Sequence, residues 1–457
     1  MSGTILFDGH NLLKGNATGI GTYARALVTT ARRLGYRPQL LMSGNAPFDS
    51  KDPQVSEILL FDALLEDKQP PRVRRERWLA QYFGKPFGIR PREYSNAGAV
   101  YHRLANPLAQ FDKIHVAPNV FDLATSHFRR HRQCATLKLG ETPSLLHMTH
   151  ATPLKAPGCP NIYTIHDIVP LRLPHATLDD KHHVARLLRH LCAEADHIVT
   201  VSEFSRRDII DFFGIPEDRI TNAYQSVHLP EDLIAKDEHE VANEISRTFN
   251  VSMREYYLFV GAIEPKKNVG RMVDAYAASG SPYPLLIAGG LGWQFESEVE
   301  KIDDERFLSY VMKDGRISAD RRVRRIPYLP LSQLISLIRG ARGVLFPSLY
   351  EGFGLPVLEA MLLGTPVITS NVSSLPEIAG GAACLVDPND VDDIGRAIRS
   401  FDSDADLRAE LSARGVRRAA HFSPQAYEHR IAALYKRLGV AGPAGGSSEP
   451  QAGAAAL

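Results

Sequence analysis

The stretch LYEGFGLPVLEAMLLGTPVITSN, Leu349 to Asn371, sets Glu351 and Glu359 eight positions apart, with two glycines and a proline but no other charge between them. GVLFPS before it reads as a strand and LPVLEAMLLG after it as a helix, with Pro356 suited to the first turn and Gly364 to the end. Gly352 and Gly354 then sit between the C-terminal end of a strand and the N-terminus of a helix. Unsatisfied amides and the helix dipole favour an anion there, and a missing side chain lets a bulky ligand reach the backbone. Glu359, in the first turns of the helix, can accept hydrogen bonds from vicinal hydroxyls such as those of a ribose. Glu351, in the loop, lies nearer whatever is joined to the phosphate. A phosphate flanked by two polyol-reading carboxylates suggests a nucleotide-sugar, although a favourable charge at a helix start would also account for Glu359.

Other strand exits carry polar groups. In VGAIEPKKNVGRMVDAY a strand ends at Gly261 and a helix starts near Asn268, an expected N-cap, with Lys266 and Lys267 in the turn between. Lysines at such a position can neutralise a diphosphate; two solvated loop lysines are the alternative. TGIGTY places Gly19 and Gly21 in a loop opening a helix; it lacks the third glycine of a dinucleotide fingerprint but suits backbone approach to phosphate. TIHDIVPL puts His166 and Asp167 after an apolar run, and VSEFSRRD does the same for Ser202, Glu203 and Arg206. The second set could face a polar ligand, or Ser202 could simply cap the helix that runs to Gly214.

Composition narrows the classes. The chain has 457 residues with 44% hydrophobic and 23% charged, an ordinary balance for a globular enzyme of two domains. A formal net charge of +1 gives no reason to expect a nucleic-acid partner. Cys134, Cys159, Cys192 and Cys384 form no metal-binding spacing and read as reduced structural thiols of a cytosolic protein. DVDD at 390–393 and DSDAD at 402–406 precede helix-like segments and read as N-caps, so no metal site is expected. Asp8 interrupts the first apolar run, no basic segment precedes it, and no run is long enough for a membrane span, so neither a secretory leader nor an anchor is expected.

The elements that must position these groups form two series of buried apolar strands alternating with amphipathic helices, the pattern of α/β parallel sheets. The first series includes TILFDGH, PQLLMSG, SLLHMTH, NIYTIHDIV, HIVTVS and RITNAY, and the second YYLFVGA, YPLLIAGG, RRIPYLP, GVLFPS, PVITS and ACLVD. Two doubly wound domains follow, residues 1–235 and 250–420, divided within the polar stretch 228–255. A helix at 421–440 and a disordered tail at 441–457 complete the chain. Residues 60–111 break the rhythm. Within them the segment 72–92 interleaves Arg72, Arg74, Arg75, Arg77, Lys85, Arg90 and Arg92 with Trp78, Tyr82, Phe83 and Phe87. That segment reads either as a solvated helical insertion or as an acceptor- or membrane-surface patch.

In this order GIGTY, HD, VSEFS, EPKKN and EGFGLPVLEA, followed by GTPVITS and LPE, resemble the retaining glycosyltransferases of family GT4, over roughly residues 1–50 and 140–435. The resemblance implies the GT-B fold, two Rossmann-like domains facing across a cleft, with the last helix crossing back to the N-terminal, acceptor-side domain. It implies transfer of a hexose from a nucleotide-sugar to a glycan or lipid-linked acceptor in surface polysaccharide synthesis, with no cofactor. Localisation would be cytoplasmic, at the inner membrane face if segment 72–92 makes contact. Members with E-P-x-K-N favour GDP-mannose. Carried over, Glu351 contacts the donor sugar near its reacting centre, Glu359 holds the ribose, Lys267 the diphosphate and His166 the sugar hydroxyls. Gly19 and Gly21 face the phosphates, and Gly352, Phe353, Gly354 and Leu355 line the donor. Ala262 stands where many relatives have arginine, and Lys266 could supply the second charge. Asp167, Ser202, Glu203 and Arg206 are the acceptor-side candidates. A sugar-nucleotide epimerase and a silent sugar-nucleotide-binding subunit are the rival readings.

Overall fold

The computed structural model describes residues 2–12, 19–44, 55, 85, 87–95, 108, 110–313 and 316–442. Its strands come from runs that are apolar at successive rather than alternate positions, as sheets covered on both faces require. In chain order they are β1 (Thr4–Asp8), β2 (Arg37–Ser43), β3 (Arg92–Ser95), β4 (Lys113–Ala117), β5 (Ala135–Thr136), β6 (Leu145–Met148), β7 (Leu154–Lys155), β8 (Asn161–Thr164), β9 (His197–Thr200) and β10 (Ile220–Asn222). The second half supplies β11 (Tyr257–Val260), β12 (Leu285–Ala288), β13 (Leu308–Lys313), β14 (Arg316–Arg321), β15 (Val323–Ile326), β16 (Gly343–Phe346), β17 (Val367–Ser370) and β18 (Cys384–Val386).

One sheet has eight strands in the order β10-β9-β8-β6-β1-β2-β4-β3, and another has six in the order β15-β12-β11-β16-β17-β18. In the first, β1 pairs in parallel with both β2 and β6, and β3 closes an edge antiparallel to β4. In the second, β11 pairs in parallel with β12 and β16, and β16 with β17. These are two Rossmann-like α/β sheets, which put the loops carrying chemistry at the C-terminal ends of the strands.

By contacts the chain forms two units. The first holds the described parts of Met1–Thr164, Glu194–Ile198 and Glu428–Leu457, and the second holds Ile165–Ala193 and Val199–Tyr427. Residues 165–193 and 199–235 were expected with the first domain. They instead pack on the second half, as where Ser205 Oγ, in the first turn of the helix Glu203–Phe213, donates to the Gly352 carbonyl at 3.2 Å.

In the first unit the chain end is tied to the core. Tyr435, fully buried, bonds His147 Nδ1 at 2.8 Å, while His147 Nε2 and the Tyr23 hydroxyl meet Thr164 Oγ1 at 3.1 and 2.9 Å. Burial pushes the His147 imidazole down to about 3, so it makes these bonds neutral. In the second unit Phe259 of β11 stacks on Phe346 of β16 at 6.1 Å, both fully buried.

The polar stretch 228–255, expected to hold the domain boundary, lies wholly within the second unit and forms the helices Glu231–Ile234 and Glu238–Phe249, with Asp237 capping the second by accepting from the His239 amide. Val241 and Ile245, a turn apart, supply its buried face. Most of the 60–111 segment and the tail beyond 442 lie outside the described residues. Within that segment Tyr94 of β3 sits opposite Ile114, and Phe87 is exposed. Among the described residues no helix is long and apolar enough to cross a membrane.

Candidate active site

The site is built where β11 and β16, adjacent in the second sheet, release the chain. After β11 the turn Pro265–Lys267 is a single 3-10 turn, and Asn268 follows it in the left-handed region at φ 61°. Asn268 stands at the N-cap of the next helix, as expected, but its side chain makes no capping hydrogen bond. Its amide nitrogen instead donates to the carbonyls of Pro347 (3.0 Å) and Pro388 (2.7 Å). The Leu349 amide donates back to the Lys266 carbonyl at 2.8 Å. The lysine turn and the loop after β16 are thus stitched together through buried backbone groups.

That loop carries Glu351, 7% exposed. Its amide donates to Ser373 Oγ, and Ser374 Oγ donates to the carbonyls of Glu351 (2.9 Å) and Phe353 (2.8 Å). Gly352 passes so close to the first-half segment that a Cβ there would lie 2.8 Å from both the His166 carbonyl and Asp167 Oδ2. Gly354 caps the helix Leu355–Leu362 at φ 109°, a conformation closed to residues with side chains. Phe353 is buried beside Phe422, and Leu355 opens the helix.

Charge at the centre is balanced. Lys267 Nζ donates to Glu351 Oε1 at 2.6 Å and lies 4.8 Å from the Phe346 ring centroid. Burial alone would raise the Glu351 carboxyl, but Lys267 and Lys266 together hold it below its ordinary value. Burial likewise opposes the Lys266 ammonium, and Glu351, Asp167 and Glu264 outweigh it, raising its pKa. Lys266 Nζ lies 3.5 Å from Glu264 Oε1. Two ammonium groups and an ionised carboxylate therefore stand beside the amides of a helix start. This arrangement can stabilise an anionic leaving group on one side and a carbon gaining positive charge on the other.

Glu359 is different. It lies on the helix that Gly354 caps, keeps part of its surface open, and has no side-chain hydrogen bond or ion pair among the described residues. The protein packed round it desolvates its carboxyl, which is pushed up to about 7. An unsatisfied carboxyl of this kind is ready to accept hydrogen bonds from a hydroxyl-bearing ligand.

The sequence candidates divide. Glu351, Lys266, Lys267, Gly352, Phe353, Gly354, Leu355, Glu359, His166 and Asp167 all fall within the second unit. Asp167 also accepts the Val169 amide at 3.1 Å. Gly19 and Gly21 belong to the first unit and are not loop residues: they form the first turn of the helix Gly19–Arg33. Ser202, Glu203 and Arg206 have structural duties. Ser202, fully buried, accepts the Ser205 amide as the N-cap of the helix Glu203–Phe213, and Arg206 pairs with Glu203 and Glu217 at 2.9 Å each. Asp390 and Asp404 cap helices as read, and all four cysteines are free.

Residues 242–418 match the family model for glycosyl transferases group 1, and residues 17–229 that for Glycosyltransferase Family 4. O-antigen chain mannosyltransferase B of Escherichia coli is 33% identical over 282 residues, covering 61% of this chain and 70% of that protein. The chain belongs to the GT4 family of glycosyltransferases. The serotype-specific mannosyltransferase WbdA of Escherichia coli is 29% identical over 56% of this chain and 31% of its own length. Sucrose-phosphate synthase from Thermosynechococcus elongatus superimposes with a TM-score of 0.63 at 16% identity, covering 95% of this chain and 99% of that one. At that identity the likeness is one of fold, the GT-B arrangement.

Several residues that shape this glycosyltransferase's site escape a sequence reading. Glu377, in the LPE segment, accepts the amides of Glu203 and Phe204 at 2.8 and 2.9 Å, one carboxylate oxygen each, at the start of a helix more than 170 positions away. Asp208 receives the Tyr350 hydroxyl and the Arg172 guanidinium next to the Glu351 loop. Only their spacing from the named motifs hints at them: Glu377 follows GTPVITS, and Tyr350 precedes Glu351.

Proposed function

We propose that this glycosyltransferase moves a mannosyl residue from GDP-mannose, with retention of anomeric configuration, to a hydroxyl of a glycan or glycolipid in the assembly of a surface polysaccharide. The observation that carries the reading is the Lys267–Glu351 pair, with Lys266 beside it, at a helix N-terminus whose helix also bears the unpartnered Glu359. In this reading Lys266 and Lys267 take the charge of the departing diphosphate, and Glu351 stabilises the reacting sugar. Glu359 accepts the ribose hydroxyls, and His166 meets the donor sugar. Two lysines and helix amides suffice for the leaving group without a metal ion. The names of the two related mannosyltransferases support the choice of sugar and of polysaccharide assembly.

The test is a panel of GDP-, UDP- and dTDP-sugars, read first by thermal shift, since a bound ligand raises apparent stability. The second reading is turnover with an alkyl mannoside acceptor. GDP-mannose should give the largest shift and an α-linked product by NMR, with the same rate in EDTA. Turnover of a UDP- or dTDP-sugar in its place would overturn the donor assignment. Loss of activity in EDTA, restored by Mg²⁺, would overturn the metal-free reading.

A further inference from the structure

Glu351 is paired with Lys267 through one carboxylate oxygen, yet it stands in a loop whose glycines give it little stiffness of its own. Two other elements of the second unit supply that stiffness. The first is the helix Glu203–Phe213. From its opening turn Ser205 Oγ donates to the Gly352 carbonyl at 3.2 Å, and the Phe204 ring meets the Tyr350 ring edge-on at 5.4 Å. One turn on, buried Asp208 accepts the Tyr350 hydroxyl. The residues on either side of Glu351 are therefore both held by one helix. The second element is segment 373–379. There Ser373 Oγ accepts the Glu351 amide, and Ser374 Oγ donates to the Glu351 and Phe353 carbonyls.

Glu377 joins these two elements to each other. Its Oε1 accepts the Glu203 amide and its Oε2 the Phe204 amide, at 2.8 and 2.9 Å. With Ser202 Oγ accepting the Ser205 amide, the three amides that open the helix are all satisfied. The carboxylate also meets the positive end of the helix dipole. Glu377 is fixed from behind, because Arg418 donates to its carbonyl and to that of Ile378. Arg418 in turn lies over Phe422, which packs edge-on against Phe353. Ser202 already caps the helix, so the added carboxylate decides where the helix sits rather than whether it forms.

We propose that Glu377 is a positioning residue for glycosyl transfer: through the helix Glu203–Phe213 it sets the loop that aims Glu351 at the reacting sugar. Its effect on rate rests on the role given to Glu351 above; its effect on the loop does not. The test uses the whole chain and the donor that the thermal-shift panel selects. Glu377→Ala should lower kcat by about tenfold, as a small misplacement of a reacting group would, and leave donor KM within about twofold. Glu377 is partly exposed, so sodium formate can reach the vacated position. Formate should restore part of the lost kcat and leave the wild type unchanged. Hydrogen exchange of segment 349–354 should quicken in the variant and slow again with formate. Tyr350→Phe, which keeps the ring and removes one contact of the same helix, should lower kcat by about fivefold. The double variant should fall short of the product of the two losses, since both act through one helix. A wild-type kcat in Glu377→Ala, a loss that formate does not touch, or unchanged exchange in 349–354 overturns the positioning role. If Glu377→Ala fails to fold, Glu377→Gln, which keeps one acceptor oxygen, should still lower kcat by about threefold and quicken the same exchange, and wild-type values for both overturn the role. Faster exchange in Glu377→Ala together with a wild-type kcat in Glu351→Gln would count against the reading of Glu351 alone.

Discussion

The strand ends of the two sheets have the same topology and different chemistry. After β11 and β16 stand two lysines, an ionised glutamate and the start of a helix. After β1 and β6 stand a buried aspartate and two stacked imidazoles. In each a buried carboxylate is held below its ordinary pKa by a neighbouring basic side chain. The basic groups differ: ammonium groups on one side, imidazoles on the other. A parallel sheet decides where a ligand sits, and the charge placed at the strand ends decides which ligand. Lysines at such a strand end suit a leaving diphosphate.

Four substitutions would break or sharpen that contrast. The largest effect is expected for Lys267→Ala, which removes a charge from the leaving group and leaves Glu351 buried without its closest partner. Donor kcat/KM should fall by about 2 kcal/mol or more, and the melting temperature should drop. A wild-type kcat/KM in that variant would remove Lys267 from the leaving-group role. Glu351→Gln should lower kcat by about 100-fold with a smaller change in donor KM, because charge develops on the sugar only during reaction. A wild-type kcat would remove Glu351 from the chemistry.

Gly352→Ala tests the close backbone passage. A Cβ would stand 2.8 Å from the His166 carbonyl and from Asp167 Oδ2, so something must shift. A cost of about 1–3 kcal/mol is expected by chemical denaturation, with reduced turnover. Unchanged stability would mean that the segment yields freely.

The smallest effect is that of Glu359→Gln. It should raise donor KM more than it lowers kcat, since a ribose is unchanged by the reaction. The stability effect has a definite sign. Burial raises this carboxyl from 4.5 to about 7, so the folded state binds the proton more tightly than the unfolded chain. That contribution is fully present below pH 4.5 and is lost as pH rises through about 7. Glutamine imitates the protonated form. The variant should therefore melt above the wild type at pH 8, by the equivalent of about 1 kcal/mol after solvent screening, and match it near pH 4. Donor binding to the ionised carboxylate should release protons, measurable by calorimetry in buffers of different ionisation heat. A pH-independent difference would locate the effect in packing instead.

The glycosyltransferase family, the two α/β sheets and the lysine and glutamate motifs were legible in the sequence. They depend on short-range patterns: apolar runs of strand length, helical spacing, and glycines at strand exits. The Ser202 and Asp390 caps were legible for the same reason, since a cap acts within three residues. The helix Glu238–Phe249 was not, because Val241 and Ile245 are too few among charges to announce a buried face. What only the tertiary structure decided concerns partners distant along the chain. Asn268 Oδ1, the atom that would cap the helix, is taken by the Arg271 guanidinium at 2.6 Å, while its Nδ2 satisfies the buried Pro347 and Pro388 carbonyls. Glu351 and Glu359 look alike in sequence, yet one is paired with a lysine 84 positions away and the other meets only desolvation. Asp8 ends β1 and His150 follows β6, and the two are joined only because β1 pairs with β6. Protonation and pairing depend on the dielectric and the charges within a few ångströms, and in a parallel sheet those neighbours arrive by crossover connections that no local pattern records.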